Sequence, residues 1–195
     1  MMKLDKALKI LNLFKMKKVH LILIIMLSIF CFSCINAQQD KTSTERPTIE
    51  NKAFNRLLSK MVKEEVPLIG VEKLHSSKEG YLILDAREKE EFEISHIEGA
   101  KYIGYDEVDF SAVQDVPKDT PIVIYCSIGV RSEHIGERLE QQGFTNVQNL
   151  YGSIFEWANK GYDLVDKSGN RTNKVHAYNW IWGKWMENNT YEKVY

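Results

Sequence analysis

The chain has 195 residues, 44% hydrophobic and 27% charged, with a formal net charge of −1; this length suits one domain with extensions rather than two full domains. Residues 1–37 carry six lysines and one aspartate, which leaves 20 basic against 26 acidic residues, net −6, in the remainder. An acidic remainder without a basic cluster argues against nucleic acid as a partner. Beyond residue 37 a single cysteine is left, which excludes a disulfide framework, a dithiol pair and a cysteine-clustered metal site in that part.

The N-terminal segment has the layout of a bacterial secretory signal. Lys15, Lys17 and Lys18 precede the apolar run Val19 to Phe32, and Ala37 offers a small residue for cleavage. Met16 is an alternative start. A permanent anchor competes with this reading, but the apolar run falls short of the ~20 residues a spanning helix needs. Cys31-Phe-Ser-Cys34 loosely resembles a lipobox, which makes Cys34 a candidate for lipidation. Two outcomes stay open: cleavage after Ala37 yields a soluble periplasmic protein, and lipidation at Cys34 yields a membrane-tethered one. The expected location is therefore exported and periplasmic, with a membrane contacted only through a signal or lipid anchor.

Residues 38–48 are polar, include Pro47, and read as a linker. Phe54, Leu57, Leu58, Met61 and Val62 recur at helical spacing, so Ile49 to Lys63 reads as an amphipathic helix within an N-terminal segment 49–65. Val71 to Ser76 is a short helical turn and Lys78 to Gly80 a turn. Tyr81 to Asp85 is a nearly continuous apolar run, as in strands covered on both faces. Glu88 to Glu93 reads as a charged helical turn whose acidic side chains face solvent, with Phe92 turned inward. Lys101 to Ile103, Ile122 to Tyr125 and Val147 to Leu150 are further strands; Ser132 to Gln142 and Ser153 to Asn159 are helices. This alternation predicts an α/β domain with a mainly parallel central sheet flanked by helices on both faces, over 66–166. The extension 167–195 crowds Tyr178, Trp180, Ile181, Trp182, Trp185 and Met186 together. Tyr178, Trp182 and Trp185 are expected on one helical face, docked on the domain or serving as a platform for a protein partner or a wall of the site.

The chemistry concentrates at Cys126. The buried strand Ile122 to Tyr125 delivers it to a short loop that runs into a helix and ends in Arg131. Such a turn curls the backbone so that successive N–H groups point inward, and the helix start adds positive potential. A thiol there is expected to ionise readily, since helix N-termini and nearby cations depress its pKa. Arg131 supplies the cation. A buried structural cysteine is the competing reading, but ligand sites of open α/β sheets lie beyond the carboxyl ends of the strands, where Cys126 stands.

The motifs Leu84-Asp-Ala-Arg87, Glu91-Phe92, Ser95-His-Ile-Glu-Gly-Ala100, Cys126-Ser-Ile-Gly-Val-Arg131-Ser132, Gly152-Ser-Ile-Phe-Glu-Trp157 and Gly161-Tyr162 follow one another in order. Over roughly Val66 to Val165 this resembles a single-domain rhodanese. The resemblance implies a sulfurtransferase without cofactor or metal. Cys126 would carry a persulfide sulfur from a small donor, thiosulfate-like or itself a persulfide, to a thiol or cyanide-like acceptor. Ser127, Ile128, Gly129, Val130 and Arg131 would line the substrate cradle, and Asp85, Arg87 and Ser132 would support it. Cysteine phosphatases of related fold use a loop one residue longer, so the tighter loop here fits a sulfur better than a phosphate. Between Cys126 and Arg131 the residues are uncharged, which weakens the case for thiosulfate as natural donor. A rhodanese fold acting as a non-catalytic binding or sulfur-carrier module is the alternative. His96 reads as a turn-fixing residue, His134 as facing away from the loop, and His75 and His176 as unconnected with metal.

Overall fold

The computed structural model describes residues 46–195. The expected signal at 1–37, Cys34 and most of the linker at 38–48 lie outside the described residues. In chain order the elements are α1 (Lys52–Met61), β1 (Leu68–Ile69), α2 (Val71–Ser77), β2 (Leu82–Asp85), α3 (Lys89–Ile94), β3 (Lys101–Tyr102), β4 (Ile122–Tyr125), α4 (Val130–Gln141), β5 (Val147–Leu150) and α5 (Ser153–Asn159). Short 3₁₀ turns cover Lys78–Gly80 and Phe110–Val113. The C-terminal part adds β6 (Leu164–Val165), β7 (Arg171–Thr172), β8 (Lys174–His176), α6 (Trp180–Gly183) and β9 (Glu192–Val194).

Five strands form one parallel sheet in the order β1-β5-β4-β2-β3. The central strand β4 is buried along its whole length, and its pleat divides its side chains between two layers. Val123 and Tyr125 join Phe54, Leu58, Leu74, Phe155 and Trp157 from α1, α2 and α5. Ile122 and Ile124 face the other way, into a core completed by Ile135 and Leu139 of α4. This is why the strand reads as a continuous apolar run: neither face meets water. The register pairs Asp85 with Tyr125 and Ile124 with Asn149, so β2, β4 and β5 end side by side. Cys126 is the next residue along the central one.

Several boundaries differ from expectation for local reasons. Helix α1 starts at Lys52 because the Asn51 side chain caps it, accepting from the Ala53 and Phe54 amides at 2.9 and 2.8 Å. Helix α4 starts at Val130, two residues before the expected Ser132, because Gly129 turns the chain at φ 113°. The short β1 and the strands β6–β9 were not legible, since none exceeds three residues. The aromatic stripe of the tail is not one helical face. α6 spans four residues, capped by Asn179, and Tyr178 precedes it at φ 63°. Trp185 stacks on Phe54 with ring centroids 5.3 Å apart and Met186 is buried, whereas Trp180 stays 76% exposed. The acidic turn also differs: Glu91 is buried and Phe92 only half-buried, stacked on His96 at 3.9 Å.

Asp85 and Arg87, read as site support, form a fully buried pair at the end of β2. Arg87 Nε and Nη2 donate to Asp85 at 2.9 and 2.6 Å, and Nη2 also donates to the Ser95 carbonyl at 2.6 Å. The Tyr125 ring lies 5.7 Å from the guanidinium, and its hydroxyl accepts from the Ile97 amide at 3.1 Å. Together these bonds pin the Ser95–Ala100 turn against the strand ends. His96 completes the turn, its backbone exchanging hydrogen bonds with Val165 at 2.8 and 3.0 Å. Removing one member of a buried ion pair leaves the other charged and unpaired, which costs about 3–5 kcal/mol. Arg87→Met is therefore expected to lower unfolding stability by that amount, measured by urea denaturation, while Lys89→Met, on the exposed side of α3, leaves it nearly unchanged.

Candidate active site

Cys126 lies 1% exposed at the carboxyl end of β4. Its loop is held from outside through its own carbonyls, by backbone amides as well as by side chains. The amides of Ile154 and Phe155, at the start of α5, donate to the carbonyls of Cys126 and Ser127, each at 3.2 Å. Ser153, at φ 53°, accepts from the Cys126 amide at 3.2 Å through its hydroxyl, which donates to the Leu150 carbonyl at 3.0 Å. From β5, Asn149 donates to the Gly129 carbonyl at 2.8 Å and accepts from the Ser132 hydroxyl at 2.7 Å. With carbonyls drawn outward, amides are left facing the sulfur. The Gly129 N–H reaches Cys126 Sγ at 3.2 Å.

The thiol's acidity follows from this arrangement. Burial pushes the Cys126 thiol up, but the Arg131 guanidinium, Ser132 and the Gly129 amide outweigh it and hold it below the ordinary thiol range. Ser132 contributes its backbone N–H; its hydroxyl proton is shared with Asn149 Oδ1. The expected cradle residues come together: Cys126, Ser127, Ile128, Val130 and Arg131 line one cavity of about 180 Å³, with Gly129 behind the sulfur.

Arg131 is not a free cation. Its Nη1 and Nη2 donate to the two carboxylate oxygens of Glu91 at 2.7 and 3.0 Å, and Nη2 also donates to Ser127 Oγ at 2.9 Å. Glu88 stands 3.9 Å away. Burial pushes the Glu91 carboxyl up, and Arg131 together with the more distant Arg87 brings it below the usual carboxylate range. Glu91 was missed because a run of acidic residues on a short helix reads as a solvated face. Its spacing from Arg131, 40 residues, leaves no local signal.

Met61 of α1 was also missed; with the tail residues Tyr178 and Trp182, for which a wall of the site was one of the expected roles, it closes the cavity beside Cys126. The Tyr178 ring lies 5.1 Å from the Arg131 guanidinium. His176 Nδ1 is 3.8 Å from Glu91 and accepts from the Tyr178 amide at 3.1 Å. His134 is exposed, at hydrogen-bonding distance from the Tyr105 hydroxyl, 3.1 Å. His75 stacks on Tyr162 at 3.8 Å. Among the described residues no group of three or more His, Cys, Asp or Glu side chains is placed to hold a metal, and no helix is long and apolar enough to cross a membrane.

Comparison with known proteins points the same way as the geometry. The family model of the rhodanese-like domain matches residues 71–160. The chain is 42% identical over 57 residues to a sulfurtransferase of Allochromatium vinosum, which covers 29% of this chain and 53% of that one. It is 30% identical over 81 residues to the thiosulfate sulfurtransferase GlpE of Coxiella burnetii, covering 41% of this chain and 74% of that one. It is 34% identical over 96 residues to the putative sulfur carrier protein YrkF of Bacillus subtilis, covering 49% and 51%. The chain thus spans about half the length of the Allochromatium and Bacillus relatives.

The sign of the pH dependence follows from the lowered thiol pKa. Thiolate is the reactive form, so alkylation of Cys126 by iodoacetamide is expected to reach its plateau at lower pH than an ordinary thiol of about 8.5. Arg131→Met removes the largest stabiliser of the thiolate and should move the inflection upward; an unchanged inflection would detach Arg131 from the sulfur. Asn149→Ala strands the Gly129 carbonyl and the Ser132 hydroxyl, and a loss of about 1–3 kcal/mol in unfolding stability is expected.

Proposed function

This chain belongs to the rhodanese-like family, and on that footing we propose that Cys126 accepts a sulfane sulfur from a donor and passes it to a thiophilic acceptor through a Cys126 persulfide. One observation carries the reading: a thiol held below its ordinary range, with the Gly129 amide aimed at its sulfur, in the wall of a small cavity.

Each step has a candidate group. The thiolate attacks the outer sulfur of the donor; the bond between that sulfur and the donor's body breaks, and the body leaves with the electron pair. The inward-facing amides of the loop stabilise negative charge on the transferred sulfur, as preorganised donors do for developing anions. In the second half-reaction the acceptor attacks the outer sulfur, and Cys126 leaves as a thiolate. A depressed pKa helps chiefly here, because it makes Cys126 the better leaving group. The two halves give ping-pong kinetics. No general base is required, because a thiol held below its ordinary range supplies the thiolate itself.

The Lys15–Ala37 reading supports action outside the cytoplasm, soluble or tethered through Cys34. A sulfur-carrying role with little turnover is the second reading. The neutralisation of Arg131 by Glu91 favours it, since a cradle without net positive charge captures anionic donors weakly.

The test is intact-protein mass spectrometry of the reduced protein after exposure to a sulfane donor, with thiosulfate and benzenethiosulfonate each tried. The expected result is a gain of one sulfur that cyanide removes as thiocyanate, and no gain in Cys126→Ser. No gain with either donor in a folded protein would overturn persulfide transfer.

A further inference from the structure

The cavity over Cys126 has walls of two kinds. Met61, Ile128, Val130, Tyr178 and Trp182 make most of its surface apolar. Among the lining residues Arg131 is the only charged one. Two features strip Arg131 of its capacity to receive a dianion. Glu91 takes both terminal nitrogens in a two-pronged ion pair, with Ser127 on the remaining Nη2 hydrogen, and the Tyr178 ring lies against the guanidinium. Glu88 adds a second acidic group at 3.9 Å. His176 brings no compensating charge, because burial holds it below the ordinary imidazole range despite Glu91. Once Cys126 is a thiolate, a dianion entering this cavity meets net negative charge and a guanidinium whose terminal Nη1–Nη2 edge is already taken by Glu91.

We propose that the sulfur donor is an organic sulfane compound with a small apolar body and at most one negative charge, in preference to inorganic dianions, and that Trp182 and Glu91 set this preference. The inference rests on the reading of Cys126 as a sulfur acceptor. The body lies against Trp182, Tyr178 and Met61, where water is displaced from apolar surface on both sides. At about 180 Å³ the cavity is smaller than the roughly 300–1,000 Å³ of sites for drug-sized ligands, so the body is of the order of one ring or a short alkyl chain. For a donor R–S–SH, Cys126 Sγ forms a bond to the outer sulfur and the inner S–S bond breaks. R–S⁻ departs with the electron pair, and the proton stays on the transferred sulfur. No external oxidant or reductant is needed.

Benzenethiosulfonate and thiosulfate make a matched pair for the test. Each carries a sulfane sulfur on a sulfonyl group, but a phenyl ring in the first replaces one anionic oxygen of the second. Their kcat/KM values are measured with cyanide as acceptor, and each is divided by its uncatalysed rate with cyanide. The wild-type protein is expected to favour benzenethiosulfonate by at least about tenfold, the scale on which an apolar contact discriminates. Trp182→Ala should collapse that ratio. Glu91→Gln should raise the thiosulfate value severalfold and lower the ratio from the other side. Equal use of both donors by the wild type, or Trp182→Ala lowering both values in proportion, overturns the preference and leaves persulfide transfer standing. Transfer from neither donor overturns both.

Discussion

The bonds that draw the carbonyls of the Cys126 loop outward decide most of what this molecule can do. A backbone turn can show either its N–H groups or its C=O groups to its centre. Here the start of α5 takes the carbonyls of Cys126 and Ser127, and Asn149 takes that of Gly129. The amides are left for the sulfur. This requires β5 and α5 to stand beside β4, which the parallel register provides by pairing Ile124 with Asn149. It also requires a left-handed residue before α4, which is why Gly129 stands there at φ 113°. A side chain at that position would be strained by the backbone alone, although the nearest neighbours of a Cβ would be no closer than 3.5 Å.

Electrostatics at the site is a matter of one guanidinium shared between two anions. Arg131 stabilises the Cys126 thiolate, and the same group satisfies Glu91, which is almost fully buried. A buried carboxylate without such a partner would be costly, so the pair holds α3 to the loop as well as tuning the thiol. The compromise differs from a cradle built for dianions, in which the cation's donors face the ligand. In this chain both terminal nitrogens of Arg131 donate to the protein.

Reading the sequence succeeded where the signal is local. The strand-Cys-loop-helix order, the apolar runs of β2 and β4, and the Cys126-to-Arg131 spacing are consecutive in the chain, and their physics is that of neighbours. It failed where a residue's role depends on what folds onto it. Asn149 looks like an ordinary polar residue within a strand, yet it is fully buried and serves two loop partners. Glu133 lies on α4 among charged residues, and its carboxylate caps the Lys63 and Glu65 amides at 2.9 and 3.2 Å, tying the α1–β1 connection to the site's helix. Glu91 looks solvated because its neighbours in sequence are charged. In each case the informative partner is more than a dozen residues away, beyond the reach of any helical or strand period.

The tail shows how a segment without periodicity can still be specific. Its aromatic residues do not form one face, and the structure separates their duties. Trp185 and Met186 are spent on anchoring, against Phe54 and in the core. Asn159 reinforces the anchor by donating to the Trp185 carbonyl at 2.9 Å and accepting from the Glu187 amide at 2.7 Å. The β8–β9 pair then fixes the approach, its register placing His176 opposite Val194. With both ends held, the stretch between them presents Tyr178 and Trp182 to the cavity at a short remove from Arg131. None of the hydrogen bonds that orient the Cys126 loop comes from the tail, whose reach to the thiol runs through Tyr178 on Arg131. The loop's geometry thus resides in the β4–α4 turn and its β5 support and the apolar wall in elements that flank the domain at either end, and the two meet at the Arg131–Glu91 pair.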